Sequence, residues 1–139
     1  MISYTGACLC NQVELHVHLP QVLSNYAPRA CDCDFCRQNE LTYISDPEGK
    51  IQIQSSISLR HERQGSNQAE FLSCRHCEQT VAVMLHLDER RIGAVNAQCL
   101  HSAEQFKEPI FVSPKTFSAQ EKTKRWEQLW SPLTLNEPD

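Results

Sequence analysis

Seven of the chain's eight cysteines fall into three tight groups: Cys8 and Cys10, then Cys31, Cys33 and Cys36, then Cys74 and Cys77. No other feature constrains the fold as strongly. Thiolates are preferred soft ligands of zinc, and a tetrahedral site is usually filled by two close pairs from distant stretches of chain. Two pairs and one triplet do not divide into a single site. Cys8, Cys10, Cys74 and Cys77 make one complete four-sulfur set. Cys31, Cys33 and Cys36 supply three sulfurs and leave a fourth position open, as in a zinc that binds water or substrate.

The spacings support this division. Residues i and i+2 of an extended segment point the same way, so Cys8 and Cys10 can face one ion if the chain curls locally. A Cys-x-x-Cys turn between strands around Phe71 and Val81 aims two sulfurs at one point. The first residues carry no basic region followed by a long apolar run, so the expectation is a cytoplasmic, reducing location. Cysteines there read as metal ligands or reactive thiols rather than disulfides. No stretch reaches the roughly 18 apolar residues that span a membrane. A formal charge of −4 and a pI near 5.8 argue against nucleic acid or an anionic membrane as a partner.

Period-two alternation dominates the rest and predicts a mainly β fold. Val13, Leu15, Val17 and Leu19 alternate with polar residues, as do Ile51 and Ile53, with Ile57 and Leu59 continuing the pattern. Asp46-Pro47-Glu48-Gly49 reads as a turn. Thr80 to Leu87 is a β-rich run turned at Asp88–Arg90 toward a partner at Ile92 to Ala97, and Ile110-Phe111-Val112 adds a short strand. One C-terminal helix is predicted, from Ser118, with Glu121 completing a capping box, to about Trp130, stopped by Pro132. Trp126 and Trp130 share its inner face. A single zinc-binding domain over residues 1–133 and a flexible tail over 134–139 follow.

Several residues beside the clusters carry open readings. Cys99 can close the triplet as a fourth ligand, act as a nucleophile, or be a small buried side chain. Closure would make both metals structural. Asp32 and Asp34 flank the reactive sulfurs as proton-orienting groups or solvated carboxylates, and Arg37 is a candidate for a substrate carboxylate. His76 reads as solvent-facing. His16 and His18 lie on the polar side of their strand, and His61, His86 and His101 have no local partner that singles them out.

The order Gly6-Ala7-Cys8-Leu9-Cys10, then Cys31-Asp32-Cys33-Asp34-Phe35-Cys36-Arg37, then Phe71-Leu72-Ser73-Cys74-Arg75-His76-Cys77 resembles the glutathione-dependent formaldehyde-activating enzymes and their relative centromere protein V. Val95 to Leu100, Glu108 to Val112 and Trp126 are similar to that family's closing strands and tryptophan. The resemblance implies several coiled antiparallel sheets stabilised by zinc. It implies two zinc ions per chain: a structural one on Cys8, Cys10, Cys74 and Cys77, and a labile, partly occupied one on Cys31, Cys33 and Cys36, which would be the catalytic residues. It implies a small thiol such as glutathione and an aldehyde, formaldehyde, as reactants of a carbon–sulfur lyase-type enzyme. The chain departs from the family's pattern at Asn11 and Glu78, where glycine usually follows each metal pair and the backbone turns with positive φ. It also departs at Asp32 and His101.

Two other readings are carried forward. One is a non-enzymatic zinc-stabilised binding module with both metals structural. The other follows a faint similarity of Cys99 to Phe106 to the catalytic stretch of methionine sulfoxide reductase B, with Cys99 as the nucleophile. That family's His-x-Gly-His segment is missing here.

Overall fold

The computed structural model describes residues 1–32, 34–63, 68–113 and 116–138, and of Asp34 the backbone alone. The described elements run in the order β1 (Ile2–Ala7), β2 (Val13–Leu19), β3 (Arg29–Cys31), α1 (Asp34–Gln38), β4 (Thr42–Ile44), β5 (Lys50–Ser55), β6 (Arg60–Arg63), β7 (Glu70–Ser73), β8 (Thr80–His86), β9 (Arg91–Asn96), β10 (Ile110–Val112), α2 (Ala119–Leu129) and β11 (Ser131–Asn136). The fold is mainly β, as the alternation predicts. Strands pair in the order β1-β2-β5-β11-β9-β4-β3-β10, with β8 branching from β9 and continuing through β7 to β6. Pairing is antiparallel except where β11 meets β5 and β10 meets β3.

Alternation decides which face each strand buries. Val13, Leu15, Val17 and Leu19 of β2 are wholly buried, while Glu14, His16 and His18 between them are not. Full burial of such side chains contributes about 1.5–3 kcal/mol each. β8 is buried along nearly its whole length and reads as a continuous apolar run, because both of its faces are covered. Ala82 and Met84 join one core cluster, and Val83 and Leu85 join the other. The first cluster holds β2, β5 and the sulfurs of Cys8, Cys74 and Cys99; the second holds Cys36, Leu41, Tyr43, Phe71 and Trp130.

Helix α2 begins as its sequence dictates. The Ser118 hydroxyl accepts from the Glu121 backbone N–H at 3.1 Å, and the Glu121 carboxylate accepts from the Ser118 N–H at 3.0 Å. The Trp126 and Trp130 rings stack at 4.7 Å on the second cluster. Helix α1 was not anticipated, since five residues carry too little periodicity to register.

Two expectations are corrected. Thr134 to Asn136 of the segment expected to be a flexible tail belong to strand β11: Leu133, Thr134, Leu135 and Asn136 pair in parallel with Ile51 to Gln54, while Ser131 and Pro132 pair with Gly93 and Ile92. Only Asp139 of that segment lies outside the described residues. A proline just after a helix reads as a stop, and here it also opens a strand, a position where its missing N–H is tolerated. Likewise, Ile57 and Leu59 do not extend a strand; β6 starts at Arg60. Among the described residues no helix is long and apolar enough to cross a membrane.

Candidate metal centre and a second thiol group

Cys8 and Cys10 occupy the tip between β1 and β2, and Cys74 and Cys77 the tip between β7 and β8. Both tips close on a backbone hydrogen bond to the first cysteine's carbonyl. The Asn11 N–H donates to the Cys8 carbonyl at 3.0 Å and the Glu78 N–H to the Cys74 carbonyl at 2.9 Å. Asn11 and Glu78 each sit at φ 65°, the left-handed conformation anticipated where the family has glycine. The curled backbone points N–H groups at sulfur: Val13 at Cys8 Sγ (3.3 Å), His76 at Cys74 Sγ (3.3 Å). The Leu9 N–H donates across to the Gln79 side-chain oxygen at 2.9 Å, joining the two tips.

The four sulfurs converge within 4.8 Å of one another. Cys10 Sγ lies 3.6 Å from Cys8 Sγ and 3.6 Å from Cys74 Sγ. A tetrahedral ion with metal–sulfur bonds of about 2.3 Å sets its sulfurs about 3.8 Å apart. The donor set, its spacing and the inward N–H groups therefore fit a soft tetrahedral ion such as zinc. The thiols respond to their crowding. Burial pushes the Cys10 thiol up to about 12, with the neighbouring Cys74, Cys8 and Cys77 thiols adding to it. Burial also opposes ionisation of Cys77, but the backbone N–H groups of Gln79 and Cys10 and the thiols of Cys74 and Cys10 outweigh it and bring Cys77 down to about 7. Four sulfurs this close cannot all ionise without a cation between them.

Cys99 belongs to this region. It is buried in the first cluster with Cys8 and Cys74, in the 3-10 turn Ala97–Cys99 that follows β9, and its Sγ faces the Thr80 carbonyl at 4.0 Å. Burial first, then the charges of Cys8 and Cys77, raise its thiol to about 12. Such a thiol is a poor nucleophile at neutral pH, which argues against the reductase-like reading. Its neighbours in that cluster include Cys8 and Cys74, whereas Cys31 and Cys36 belong with the second cluster. The same stretch anchors β1: Gly6 bridges to Leu100, and a Cβ on Gly6 would meet the Cys99 carbonyl carbon and Leu100 Cα at 2.9 Å. The His101 N–H donates to the Thr5 carbonyl at 3.0 Å.

The triplet lies where β3 gives way to α1. Cys36 is buried in the second cluster, Cys31 packs against that cluster, and Cys33 lies outside the described residues. The Tyr43 hydroxyl is 3.6 Å from Cys36 Sγ. Phe35 packs on Phe71 with ring centres 4.6 Å apart. Strand β10 holds the adjoining backbone: Val112 registers with Cys31, its carbonyl accepts from the Asp32 N–H at 3.1 Å, and the Ser113 hydroxyl donates to the Asp32 carboxylate at 2.6 Å. Asp32 is thus anchored rather than loosely solvated.

Two features escaped the sequence reading. Arg29, two residues before Cys31, is half-buried, and burial followed by the charge of Arg125 lowers its pKa to about 10. It remains a cation at neutral pH. His61 sits between two carboxylates, Glu70 at 3.1 Å and Glu137 at 2.7 Å, while His86 reaches Glu70 at 3.3 Å. These partners come from three strands and the chain's last residues, so no local motif announces them. His76 is exposed, as expected.

The comparisons agree with this geometry. A crystal structure of a Rhodobacter sphaeroides protein shares the fold, with a TM-score of 0.55 at 20% identity, covering 78% of this chain and 99% of that one. No curated protein matches the chain. The family model described as glutathione-dependent formaldehyde-activating enzyme matches residues 3–118, a span that includes both hairpin tips and the triplet. With that match over most of its length and a four-cysteine cluster able to hold a metal ion, the chain belongs to the glutathione-dependent formaldehyde-activating enzyme family.

Proposed function

We propose that the protein is a zinc-dependent carbon–sulfur lyase-type enzyme that joins a small thiol such as glutathione to an aldehyde and releases it in reverse. Cys31, Cys33 and Cys36 form the reactive site in this reading, and Cys8, Cys10, Cys74 and Cys77 the structural one. The observation that carries it is the separation of the two groups. The four-sulfur cluster is complete without the triplet, and Cys31 and Cys36 belong to a different core.

A zinc ion on the triplet would favour the thiolate form of a bound thiol and polarise a carbonyl. The chain's own residues do the rest. Tyr43, beside Cys36, supplies a hydroxyl donor toward sulfur. The Phe35–Phe71 pair and the tryptophan stack give the second cluster an apolar wall that excludes water. Asp32, held by Ser113, is poised to carry a proton. The carbon–sulfur bond forms as the thiol's S–H breaks, and that proton ends on the carbonyl oxygen. No electrons change hands. Orientation and electrostatic stabilisation supply most of the rate.

The binding-module reading needs a fourth ligand for the triplet, and the placement of Cys99 beside Cys8 and Cys77 argues against that role for it. Metal analysis followed by a turnover screen tests the proposal. Two zinc equivalents per chain are expected, one leaving to a mild chelator, together with glutathione-dependent consumption of formaldehyde or a related aldehyde. Two equivalents that both resist chelation, with no turnover of any thiol–aldehyde pair, would overturn it.

A further inference from the structure

Strand β10 is the last strand of the sheet path and, among the described residues, pairs on one side only, with β3. Its apolar run is on view: Phe111 is 86% exposed, Ile110 is 52% exposed, and Pro109 before them is exposed too. Native chains usually blunt a sheet edge with charge. Strand β6, which pairs with β7 alone, carries Arg60, Glu62 and Arg63. Nothing charged stands between Pro109 and Ser113.

The ladder to β3 decides which backbone groups of β10 face outward. The Ile110 N–H donates to the Pro28 carbonyl at 2.9 Å, and the Val112 carbonyl accepts from the Asp32 N–H at 3.1 Å. Ile110 and Val112 thus turn their N–H and C=O groups to β3, in parallel register with Arg29 and Cys31. In a trans peptide the C=O and N–H point opposite ways, and the described residues hold no cis bond. The outer edge therefore presents, in order, the Pro109 carbonyl, the Phe111 N–H, the Phe111 carbonyl and the Ser113 N–H. This set is its own complement about a two-fold axis at Phe111. Phe111 of two antiparallel copies exchange both bonds, and each Ser113 N–H meets the other copy's Pro109 carbonyl. The next bond of such a ladder is closed on both sides. Pro109 has no N–H, and the Ser113 carbonyl already accepts from the Thr116 N–H at 3.2 Å and the Thr116 hydroxyl at 2.8 Å. Residues directly opposite share a face, so the two Phe111 rings meet on one side of the sheet. Ile110 of each copy meets Val112 of the other on the opposite side. The Lys107 and Glu108 charges cancel beside this strip, so two chains of net charge −4 meet where each is neutral.

We propose that β10 is a self-association edge through which two copies of the chain pair antiparallel about a two-fold axis at Phe111. The other copy's Ile110 then stands next to Val112, the strand neighbour of Cys31, and covers the open side of β10 beside the triplet. The pairing does not depend on the lyase reading. A three-residue strand buries little surface, so the association is weak, with a dissociation constant on the order of micromolar or above.

Sedimentation velocity of the metal-loaded chain, run at concentrations from about 1 μM to 1 mM, tests it. A reversible monomer–dimer equilibrium is expected. Phe111→Lys and Phe111→Glu each set like charges face to face and remove two buried rings, and each should weaken dimerisation by roughly a hundredfold or more. Their far-ultraviolet spectra should match the wild type, because the side chain is exposed. Ile110→Lys, on the opposite face, gives an independent reading of the same loss if either variant fails to fold. An equimolar mixture of Phe111→Lys and Phe111→Glu should recover the dimer, because the axis sets lysine against glutamate. A wild type that stays monomeric throughout leaves the edge to an unrelated strand and overturns the pairing. A dimer untouched by all three substitutions has its interface elsewhere and overturns it too. A mixture no better than its two components removes the two-fold register at Phe111.

Discussion

The two thiol groups are built by different means. Cys8, Cys10, Cys74 and Cys77 come from two hairpin tips joined only through space, and their sulfurs already lie at near-tetrahedral spacing inside the first core cluster. Cys31 and Cys36 come from one short stretch, a strand end running into a five-residue helix, on the second cluster. A metal in the first set cross-links distant parts of the chain and stabilises the whole fold. A metal in the second closes only a short loop and adds little to folding, because loop-closure entropy grows with loop length. Hence the first set is suited to structure and the second can give up or exchange its metal.

The strongest way to break this contrast is to remove one sulfur from each. Cys74→Ser should lose its metal and cooperative unfolding together, since structural zinc contributes on the order of 10 kcal/mol in small domains. Cys36→Ser should keep a cooperative transition, lowered by about 1–2 kcal/mol for the lost buried contact, yet lose thiol–aldehyde activity. Circular dichroism melts with metal analysis on both variants decide it, and equal loss of structure would erase the distinction.

Gly6→Ala probes the first region without touching a ligand. Its Cβ would press on the backbone at Cys99 and Leu100, which cannot yield as a flexible side chain would. We expect a cost of about 2–3 kcal/mol in denaturant unfolding, typical of overpacking. A neutral result would mean that β1 is not locked to the stretch at Cys99 and Leu100.

Glu78→Gly should act oppositely. Relieving a non-glycine residue at φ 65° is expected to stabilise the tip by about 1 kcal/mol and tighten metal retention. Asn11→Gly should gain less, because asparagine tolerates that conformation. A destabilised Glu78→Gly protein would show that the side chain contributes more than its backbone costs.

The smallest effect lies outside both thiol regions and serves as a control. Burial pulls the His61 pKa down, but hydrogen bonds and charge from Glu70 and Glu137 outweigh it, so the net shift is upward from 6.5. Burial raises Glu70, but the His61 hydrogen bond and the His86 charge prevail and its net shift is downward from 4.5. The histidine term is fully present below its unfolded value and fades as pH rises through its folded value. The Glu70 term is present above its unfolded value and fades as pH falls through its folded value. The pair therefore supports stability most between about pH 4.5 and 6.5, by up to about 1 kcal/mol for so solvent-accessible a cluster. His61→Gln should flatten the unfolding profile across that window and leave metal content unchanged. An unaltered profile would discount the cluster.

Much of this was legible in the chain. Alternation located β2 and β5, a β-rich run and its turn located β8 and β9, and the serine–glutamate spacing located the start of α2, because these signals are local. The paired cysteine spacings identified the four-sulfur group, and the glycine-type turns reappear as positive φ at Asn11 and Glu78. Strand β11 was misread because Pro132 signals a helix stop more strongly than four alternating residues signal a strand. The surroundings of Arg29 and of the His61 cluster were invisible, since their partners lie on segments far away in sequence.

By itself the sequence determined which sulfurs can share an ion, which faces are apolar and where the chain turns, since each depends on residues within a few positions. The tertiary structure alone decided that Cys99 stands beside the first group, that residues 131–136 form a central strand, and that His61 sits between two carboxylates. Those facts depend on segments far apart in sequence, brought together by burial of two cores rather than by any local preference.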